Sequence, residues 1–251
     1  MKLCKVVYDG QEFWGEKKEN MIRLLAAPPY RGIYYAGVSV PFSDCRLLAP
    51  CDATKILAIG QNYLAHIKEL GHEVPETPVV FVKAQNTVAN PGDGLIIPMG
   101  CKRFDFEAEL AIVIKERAEK IRKEDCARYV LGYTCLNDVT ARDFQQVDNQ
   151  WARCKSFDGA APIGPWVETK LDVSDIRVMS RLNGETRQDA STSQMMFDVP
   201  SILEFITRYI TLMPGDVVAT GTPAGVGPMA VGDEIEVEVE GIGVLKNYVL
   251  G

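Results

Sequence analysis

The sequence of 251 residues contains no long apolar run and no extended basic run. No window approaches the roughly 18 consecutive apolar residues of a membrane helix, and the amino-terminal stretch carries charges throughout, unlike a secretion signal. Runs of Lys and Arg do not exceed two residues, as at Lys102-Arg103, and the formal net charge is −7. Because nucleic-acid-binding surfaces usually show a basic excess, we expect neither a membrane span nor a nucleic-acid partner.

Cysteine and histidine are both sparse. The seven cysteines form an odd set without a C-x-x-C pair, which argues against a disulfide framework and against a structural zinc site. Reduced, mostly buried thiols fit a cytoplasmic protein. Only two histidines, His66 and His72, are available for proton transfer near neutral pH.

The composition, 47% hydrophobic and 24% charged, is that of a globular protein with a core. Residues 1–52 consist of short strand-like runs broken by turns and predict a small β-rich N-terminal domain. Residues 53–251 predict the larger domain. Strand patterns outnumber helical ones, so we expect a β-dominated α+β fold.

Several elements of the larger domain follow from local patterns. Strands are predicted at Val79–Lys83, at Phe104–Ile114 and at 234–240, and Asn183-Gly184 has the form of a hairpin turn. Thr140-Ala141-Arg142-Asp143 resembles a capping box, which predicts a helix to about Gln150. A second helix is predicted to begin at Asp198-Val199-Pro200 and to stop before Pro214.

Glu107 and Glu109 are the first candidates for chemistry. Residues i and i+2 of a strand share one face, with Cα atoms about 6.5–7 Å apart. Two carboxylates this close repel each other, and a divalent cation such as Mg²⁺ or Mn²⁺ would relieve the repulsion. An exposed acidic face on an edge strand explains the pattern as well.

A third carboxylate, Asp138, ends the apolar run 130–136, where ligands often gather, although a turn or capping role is equally compatible. Arg142 and Gln145 are three residues apart and share a helix face. The planar guanidinium of Arg142 suits a substrate carboxylate, or it pairs with a neighbouring acid. Lys155 precedes a glycine-containing segment and is either a substrate contact or a solvated lysine.

His66 and Glu69 lie at i and i+3 of a helical stretch, so the carboxylate can orient the imidazole. A structural role for His66 is the simpler alternative, and His72 follows Gly71 in a loop. The segment ATGTPAGVGP at 219–228 is a turn whose backbone N–H groups could hold an oxyanion. It matches neither a P-loop nor a dinucleotide-binding fingerprint.

Taken in order, these segments resemble the fumarylacetoacetate hydrolase family. The E-x-E motif at 107–109, ND-x-TARD at 137–143 and GTP-x-GVGP at 221–228 are jointly specific, and the resemblance spans 55–250. It implies a mixed β-sandwich roll, a homodimer and Mg²⁺ or Mn²⁺ as cofactor. The residues at motif positions are then metal ligands (Glu107, Glu109, Asp138), catalytic groups (His66, Glu69, Lys155) and substrate contacts (Arg142, Gln145, Thr222), with His66 and Glu69 on a lid.

The resemblance also implies a reaction class. Such a site would cleave or decarboxylate a small 2-oxo acid at C3 through a metal-stabilised enolate, as an acylpyruvate hydrolase or an oxaloacetate decarboxylase does. Family members on similar sites also isomerise 2-hydroxy-2,4-diene dioates or tautomerise oxaloacetate. If the protein is not an enzyme, the alternative is a metal-stabilised binding or interaction protein of the same fold.

Overall fold

The computed structural model describes residues 1–251, and strands dominate the chain. The strands are β1 (Lys2–Tyr8), β2 (Gln11–Lys18), β3 (Met21–Leu25), β4 (Tyr35–Pro41), β5 (Arg46–Leu48), β6 (Ile56–Gly60), β7 (Val79–Lys83), β8 (Val88–Ala89), β9 (Gly94–Ile96), β10 (Phe104–Phe106), β11 (Ala108–Ile114), β12 (Val130–Asn137), β13 (Thr140–Ala141), β14 (Ala161–Glu168), β15 (Arg177–Leu182), β16 (Glu185–Ser191), β17 (Val217–Ala219), β18 (Gly227–Pro228), β19 (Glu234–Val239) and β20 (Gly243–Leu250). The helices are α1 (Leu64–Leu70), α2 (Cys126–Tyr129), α3 (Arg142–Val147), α4 (Ala152–Lys155) and α5 (Val199–Thr207).

Three sheets organise these strands. The main sheet has 12 strands, in the order β4-β3-β2-β1-β14-β12-β11-β17-β6-β7, with β5 and β8 attached to β1 and β14. A second sheet has the order β16-β15-β19-β20-β9, and a short third sheet joins β13, β10 and β18. Most pairs are antiparallel, but β6–β17, β8–β14 and β9–β20 are parallel. The predicted β-dominated α+β fold with mixed sheets is therefore confirmed.

The centre of the main sheet is buried on both faces. In β11, Leu110 and Ile112 belong to the core shared with the second sheet and α5, whereas Ala111 and Val113 point into the core on the opposite face. All seven residues of β11 are buried. A strand covered on both sides gains apolar burial at every position, which explains its continuous hydrophobic sequence.

Several predicted elements are confirmed. Strand β7 has the predicted bounds, and the helix starting at Asp198 is capped by that side chain, which accepts a hydrogen bond from Ser201 N at 2.9 Å. Asn183 and Gly184 form the hairpin turn between β15 and β16, with φ angles of 53° and 82°. The helix ends at Thr207, earlier than predicted.

Two predictions are wrong. The single strand expected over Phe104–Ile114 is divided at Glu107, with β10 in the third sheet and β11 in the main sheet. The capping box is absent, because the Thr140 hydroxyl donates to Asp138 O at 2.9 Å, and Thr140 lies in β13. Helix α3 begins at Arg142 and ends at Val147, short of Gln150.

The N-terminal strands continue the main sheet. Strand β1 pairs with β14, with Leu3 opposite Val167, and it also pairs with β2 and β5. Leu3 and Trp14 pack in the core that contains Ala111 and Val113. The division of the chain near residue 52 stays a prediction. None of the helices combines the length and the apolar character needed to cross a lipid bilayer.

Candidate metal centre and active site

Glu107, Glu109 and Asp138 converge in the interior. One carboxylate oxygen from each lies within 4.8 Å of the others, and all three residues are buried. Glu107 is the residue between β10 and β11, Glu109 is the second residue of β11, and Asp138 directly follows β12. The alternative of an exposed acidic edge strand is therefore excluded.

The pairing of β11 with β12 brings these acids together. Ala108 lies opposite Asn137, and Glu109 lies opposite Leu136. At the break in the strand, Glu107 N donates to the Asn137 side-chain oxygen at 2.9 Å, and Asp138 N donates to Glu107 O at 2.9 Å. These bonds fix the backbone on which the carboxylates converge.

Three buried basic side chains surround the acids. Lys155 Nζ, at the end of α4, donates to Glu107 at 2.8 Å and to Asp138 at 2.6 Å. Lys83 Nζ, at the end of β7, donates to the other oxygen of Asp138 at 2.5 Å and is inaccessible to solvent. Arg142 also donates to Glu107.

Arg142 donates one hydrogen bond from each of its three guanidinium nitrogens to a side chain of the site. Its Nε donates to Asp105 at 2.9 Å, and a terminal nitrogen donates to the Gln145 side-chain oxygen at 2.6 Å. Asp105 is fully buried and also accepts from Arg103 Nε at 3.0 Å. The helix face predicted for Arg142 and Gln145 is confirmed, and Asp105 holds the guanidinium in place.

The acids differ in their electrostatic environments. Burial alone would raise the pKa of Glu107, but Lys155 and Arg142 offset burial and hold its pKa well below the usual range. Burial, together with the negative charges of Asp138 and Glu107, raises the pKa of Glu109 well above its ordinary value. Burial lowers the pKa of Lys83, whereas Asp138 and Glu107 outweigh burial at Lys155 and raise its pKa.

Glu109 lacks a basic partner, which makes the acid cluster suitable for a cation. Its carboxylate accepts only the backbone N–H of Gly221, at 2.7 Å. Gly221 has φ +98°, and a Cβ there would come within 2.7 Å of the Asn62 Cβ, so glycine is required for this approach. Three converging carboxylates are the donor set preferred by Mg²⁺ and Mn²⁺, and such a cation would remove the repulsion around Glu109.

His66 and Glu69 form the expected pair on α1. His66 Nδ1 lies 2.9 Å from Glu69 Oε2, and the His66 side chain is 6% exposed. The other oxygen of Glu69 accepts the backbone N–H of Gly225 at 2.9 Å. One carboxylate thus orients the imidazole and attaches α1 to the 219–228 turn.

Backbone N–H groups of the 219–228 turn donate hydrogen bonds to acidic side chains of the protein itself. The Gly221 and Gly225 N–H groups donate to Glu109 and Glu69, so the interpretation as a free oxyanion cradle is wrong for these two donors. The Thr222 hydroxyl donates to Ala108 O at 2.9 Å and accepts from Gln188 Nε2 at 2.7 Å. Thr222 therefore lines the site with its hydroxyl already engaged.

Glu107, Glu109 and His66 line a common cavity of about 30 Å³. Phe81 and Trp151 form an aromatic wall, with ring centroids 5.2 Å apart in an edge-to-face arrangement. Gln61 and His72 also line the cavity. A larger groove of about 970 Å³ lies beside Tyr30 and Pro214, and none of the residues that line the smaller cavity lines it.

Sequence reasoning missed Lys83, Asp105 and Gln188. The sequence analysis predicts Lys83 only as the last residue of a strand. A lysine at the end of an apolar run is nevertheless a signal that could have identified it as a site residue. Asp105 precedes the E-x-E motif with the same i, i+2 spacing. Gln188 is fully buried in β16, an otherwise exposed strand, and no local pattern marks it.

Comparison with known proteins places the sequence among families and relatives. Residues 55–250 match the family described as fumarylacetoacetate (FAA) hydrolase C-terminal, and residues 1–50 match the Rv2993c-like, N-terminal family. Protein Rv2993c of Mycobacterium tuberculosis is 41% identical over 239 residues, 94% of this chain and 90% of the relative. The mitochondrial oxaloacetate tautomerase FAHD2A of Bos taurus is 37% identical over 224 residues, 84% of this chain and 71% of the relative.

Solved structures extend the likeness to the whole chain. The 2-hydroxyhepta-2,4-diene-1,7-dioate isomerase from Mycobacterium marinum superposes with a TM-score of 0.93 and 36% identity, covering 100% of this chain and 98% of that structure. The family match covers most of the sequence, and the matched residues 55–250 include the acids, the basic residues, His66 and Glu69. The chain therefore belongs to the fumarylacetoacetate hydrolase family, a family of enzymes.

Proposed function

We propose that the protein is a divalent-metal-dependent enzyme that cleaves or decarboxylates a small 2-oxo acid at the bond between C3 and C4. One observation carries the proposal: the carboxylates of Glu107, Glu109 and Asp138 converge, and the first two line a cavity that His66 also lines. Converging carboxylates beside an oriented imidazole provide both a cation site and a proton acceptor.

Glu107, Glu109 and Asp138 are the residues that would hold Mg²⁺ or Mn²⁺. When bound, the cation supplies an electrophilic centre that favours enolate formation from a 2-oxo acid. Lys155 adds a fixed ammonium group at the same point, since it bridges Glu107 and Asp138. Loss of one such preorganised donor typically costs about 2.7–4 kcal/mol of barrier, on the order of 10²–10³ in rate.

His66 is the proton acceptor. Because its Nδ1 is bonded to Glu69, its Nε2 is the nitrogen left for a proton from water. In hydrolysis, water that has given a proton to His66 attacks the acyl carbonyl at C4. The C3–C4 bond then breaks, the acyl part leaves as a carboxylate, and C3 takes up a proton to give pyruvate. In decarboxylation, the same bond breaks with loss of CO₂, and no attacking water is needed. In both cases we assign Arg142 and Gln145 to the substrate carboxylate, with the Gln145 amide nitrogen and the remaining N–H groups of Arg142 as donors.

A second candidate is proton transfer without bond cleavage, as in a tautomerase or an isomerase. The likeness to a protein named oxaloacetate tautomerase and to one named 2-hydroxyhepta-2,4-diene-1,7-dioate isomerase favours it. The same enolate is formed in this reaction, and His66 moves a proton at carbon. The two candidates therefore differ in products.

A spectrophotometric panel tests both candidates. Oxaloacetate, acetylpyruvate, fumarylpyruvate and a 2-hydroxy-2,4-dienedioate are each followed with Mg²⁺ and with EDTA, and pyruvate is measured by coupling to lactate dehydrogenase. We expect metal-dependent turnover that Glu109→Gln abolishes and that the exposed control Glu12→Gln retains. Pyruvate release identifies cleavage or decarboxylation, whereas conversion without pyruvate identifies a tautomerase or an isomerase.

Absence of metal-dependent turnover on all four compounds would overturn the proposed function. If Mg²⁺ then raised the melting temperature nonetheless, a metal-stabilised binding or interaction protein would be the remaining reading. We also propose, from the family resemblance, that the protein acts as a homodimer. Light scattering coupled to size-exclusion chromatography tests this point directly.

A further inference from the structure

Gln188 is the only buried residue of β16, and every polar group of its side chain has a partner. The side-chain oxygen accepts the Ala108 backbone N–H at 2.9 Å. The nitrogen donates to the Thr222 hydroxyl at 2.7 Å and to Pro223 O at 2.8 Å. A backbone donor on one side and a carbonyl acceptor on the other fix which amide atom is the oxygen. One side chain therefore joins β16 to β11 and to the 219–228 turn.

Ala108, the residue between Glu107 and Glu109, is held at both of its backbone polar groups. Its N–H donates to Gln188, and its carbonyl accepts the Thr222 hydroxyl at 2.9 Å. Successive side chains of a strand point to opposite faces, so the two glutamates share a face only while the backbone at Ala108 stays extended. The two hydrogen bonds to Ala108 therefore maintain the geometry from which both carboxylates reach the acid cluster.

The hydrogen bonds of Gln188 and Thr222 depend on each other. Because Gln188 donates to the Thr222 oxygen, the hydroxyl hydrogen of Thr222 is donated to Ala108 O. Removal of the amide would leave the Ala108 N–H without its acceptor and would allow the Thr222 hydroxyl to rotate. Linked hydrogen bonds in a buried environment strengthen one another. Gln188 thus determines the orientation of Thr222 as well as the position of Ala108.

The turn held by Gln188 also supplies the donor to Glu109. Thr222 and Pro223 directly follow Gly221, whose N–H gives the only hydrogen bond to the Glu109 carboxylate. Both contacts of the Gln188 nitrogen are therefore within two residues of that donor. Glu109 is the acid without a basic partner, so its position depends on this N–H and on the backbone of β11.

The same turn contacts β16 a second time, at Gly225. A Cβ at Gly225 would lie 2.1 Å from Arg187 O, so glycine is required for the turn to lie this close to β16. The Gly225 N–H donates to Glu69 at 2.9 Å, and Glu69 orients His66. Strand β16 therefore supports a turn from which one N–H reaches the acid cluster and another reaches the carboxylate beside His66.

We propose that Gln188 is a positioning residue for the metal centre, and that it sets the affinity for a divalent cation by fixing the spacing of Glu107 and Glu109. Through the 219–228 turn, it also maintains the orientation of His66. This inference rests on the proposed function, because the acid cluster must hold a cation. Gln188 makes no hydrogen bond to the three carboxylates, so its effect is exerted through Ala108 and the turn. Groups that orient metal ligands in this way contribute to metal affinity.

Calorimetric titration with Mg²⁺ and with Mn²⁺ tests the proposal without turnover. Gln188→Met replaces the amide by an apolar side chain of similar length, and we expect the Kd of the cation to rise about 10–100-fold, the range typical of a lost supporting group. Asn247→Leu is the matched control. Asn247 is a buried amide of β20 that donates to Asn90 O and to Asp93 O, both at 2.9 Å. This variant should keep the wild-type affinity.

Imidazole NMR without added metal tests the effect on His66. The chain has two histidines, so its long-range ¹H–¹⁵N spectrum contains two ring patterns. We expect the His66 pattern of Gln188→Met to differ from that of the wild-type protein, because the turn that holds Glu69 loses its support. Asn247→Leu should keep the wild-type pattern.

Each outcome separates the inference from the proposed function. If Gln188→Met binds both cations as tightly as the wild-type protein, or if Asn247→Leu loses as much affinity, the inference is overturned while the metal centre stands. An unchanged His66 pattern in Gln188→Met overturns the link through the turn. If the wild-type protein binds neither cation, the proposed function and the inference both fail.

The side-chain amide of Gln188 in the wild-type protein provides a readout if Gln188→Met fails to fold. Both amide hydrogens are bonded, so the ¹H–¹⁵N signals should exchange slowly with solvent, and they should shift when Mg²⁺ is added. Rapid exchange, or signals that stay in place with Mg²⁺, would contradict the proposal.

Discussion

Glu69 Oε1 accepts the backbone N–H of Gly225 at 2.9 Å, across 156 residues of sequence, while Oε2 holds His66 Nδ1. The orientation of His66 and the attachment of α1 to the 219–228 turn therefore depend on the same carboxylate. Substitution of this residue affects both the orientation of the imidazole and the position of the helix.

We expect Glu69→Gln to lower kcat about 10–100-fold, the range typical of a group that orients a catalytic histidine. In glutamine an NH₂ group replaces one of the two carboxylate oxygens, so His66 Nδ1 and Gly225 N cannot each keep the oxygen that accepts from it. His66→Ala should cost more, about 10²–10⁴-fold, because it removes the proton acceptor itself. Steady-state kinetics on whichever compound of the panel turns over measures both effects.

The matched control for Glu69→Gln is Glu73→Gln. Glu73 is an exposed residue just beyond α1. It should retain the wild-type kcat. A loss equal to that of Glu69→Gln would mean that the charge of the segment, and not the bonds made by Glu69, determines the rate.

Divalent cations should raise the melting temperature. A ligand present at 100 times its Kd stabilises the native state by about 2.7 kcal/mol, and in a chain of this size each kcal/mol raises Tm by about 2–4 °C. Glu109 is the acid without a basic partner, so Glu109→Gln should abolish most of this increase. Differential scanning calorimetry with Mg²⁺, with Mn²⁺ and with EDTA measures it. An undiminished shift in Glu109→Gln would exclude this residue as a ligand.

Asp216 is expected to be the most important acid for stability outside the site. It is fully buried and accepts from Thr54 N at 3.0 Å, from Lys55 Nζ at 2.5 Å and from Met213 N at 2.8 Å. Asp216→Ala should lower the free energy of unfolding by about 3 kcal/mol or more, because several buried donors lose their acceptor. Urea denaturation followed by circular dichroism measures the change.

The control for Asp216 is Asp189→Ala, which breaks an exposed pair with Arg177. Solvent screens this pair, so the midpoint of denaturation should hardly move. Similar losses in the two variants would show that Asp216 contributes no more than a surface charge.

The thiols should be unreactive in the native state. Burial raises the pKa of Cys4, Cys51 and Cys135 to about 12 and that of Cys126 to about 11, and it also raises the pKa of Cys154. The thiolate is the reactive form, and at pH 8 these groups remain protonated. We expect a disulfide reagent to label at most Cys45 and Cys101 in the folded protein, and all seven cysteines in denaturant. Rapid labelling of more than two native thiols would contradict this.

The sequence predicted neighbouring side chains best where both residues belong to one strand or one helix. The i, i+2 spacing of Glu107 and Glu109 predicted a shared face, and the i, i+3 spacing of His66 and Glu69 predicted their contact. Asp138 was predicted to join the acids through the resemblance to the family. The roles of these residues as ligands and catalysts stay predictions.

The sequence was least informative about contacts between distant segments. Lys83 reaches Asp138 across 55 residues, and no local period encodes such a pairing. The capping box failed for a related reason: the Thr140 hydroxyl has a nearer acceptor in Asp138 O, and pairing with β10 keeps Thr140 extended. The pairing of β13 with β10 outweighed the preference of Thr140 to cap a helix, which is worth about 1 kcal/mol.

The pairing of β1 with β14 has a consequence for shortened forms of the chain. Removal of residues 1–50 would leave the outer side of β14 with unpaired backbone donors and acceptors at Val167 and Glu168, and it would strip Leu3 and Trp14 from the core. Exposed strand edges with unpaired backbone groups tend to pair with strands of other chains. The amino-terminal segment thus covers this border of β14, and we expect a chain that lacks it to aggregate through the exposed strand.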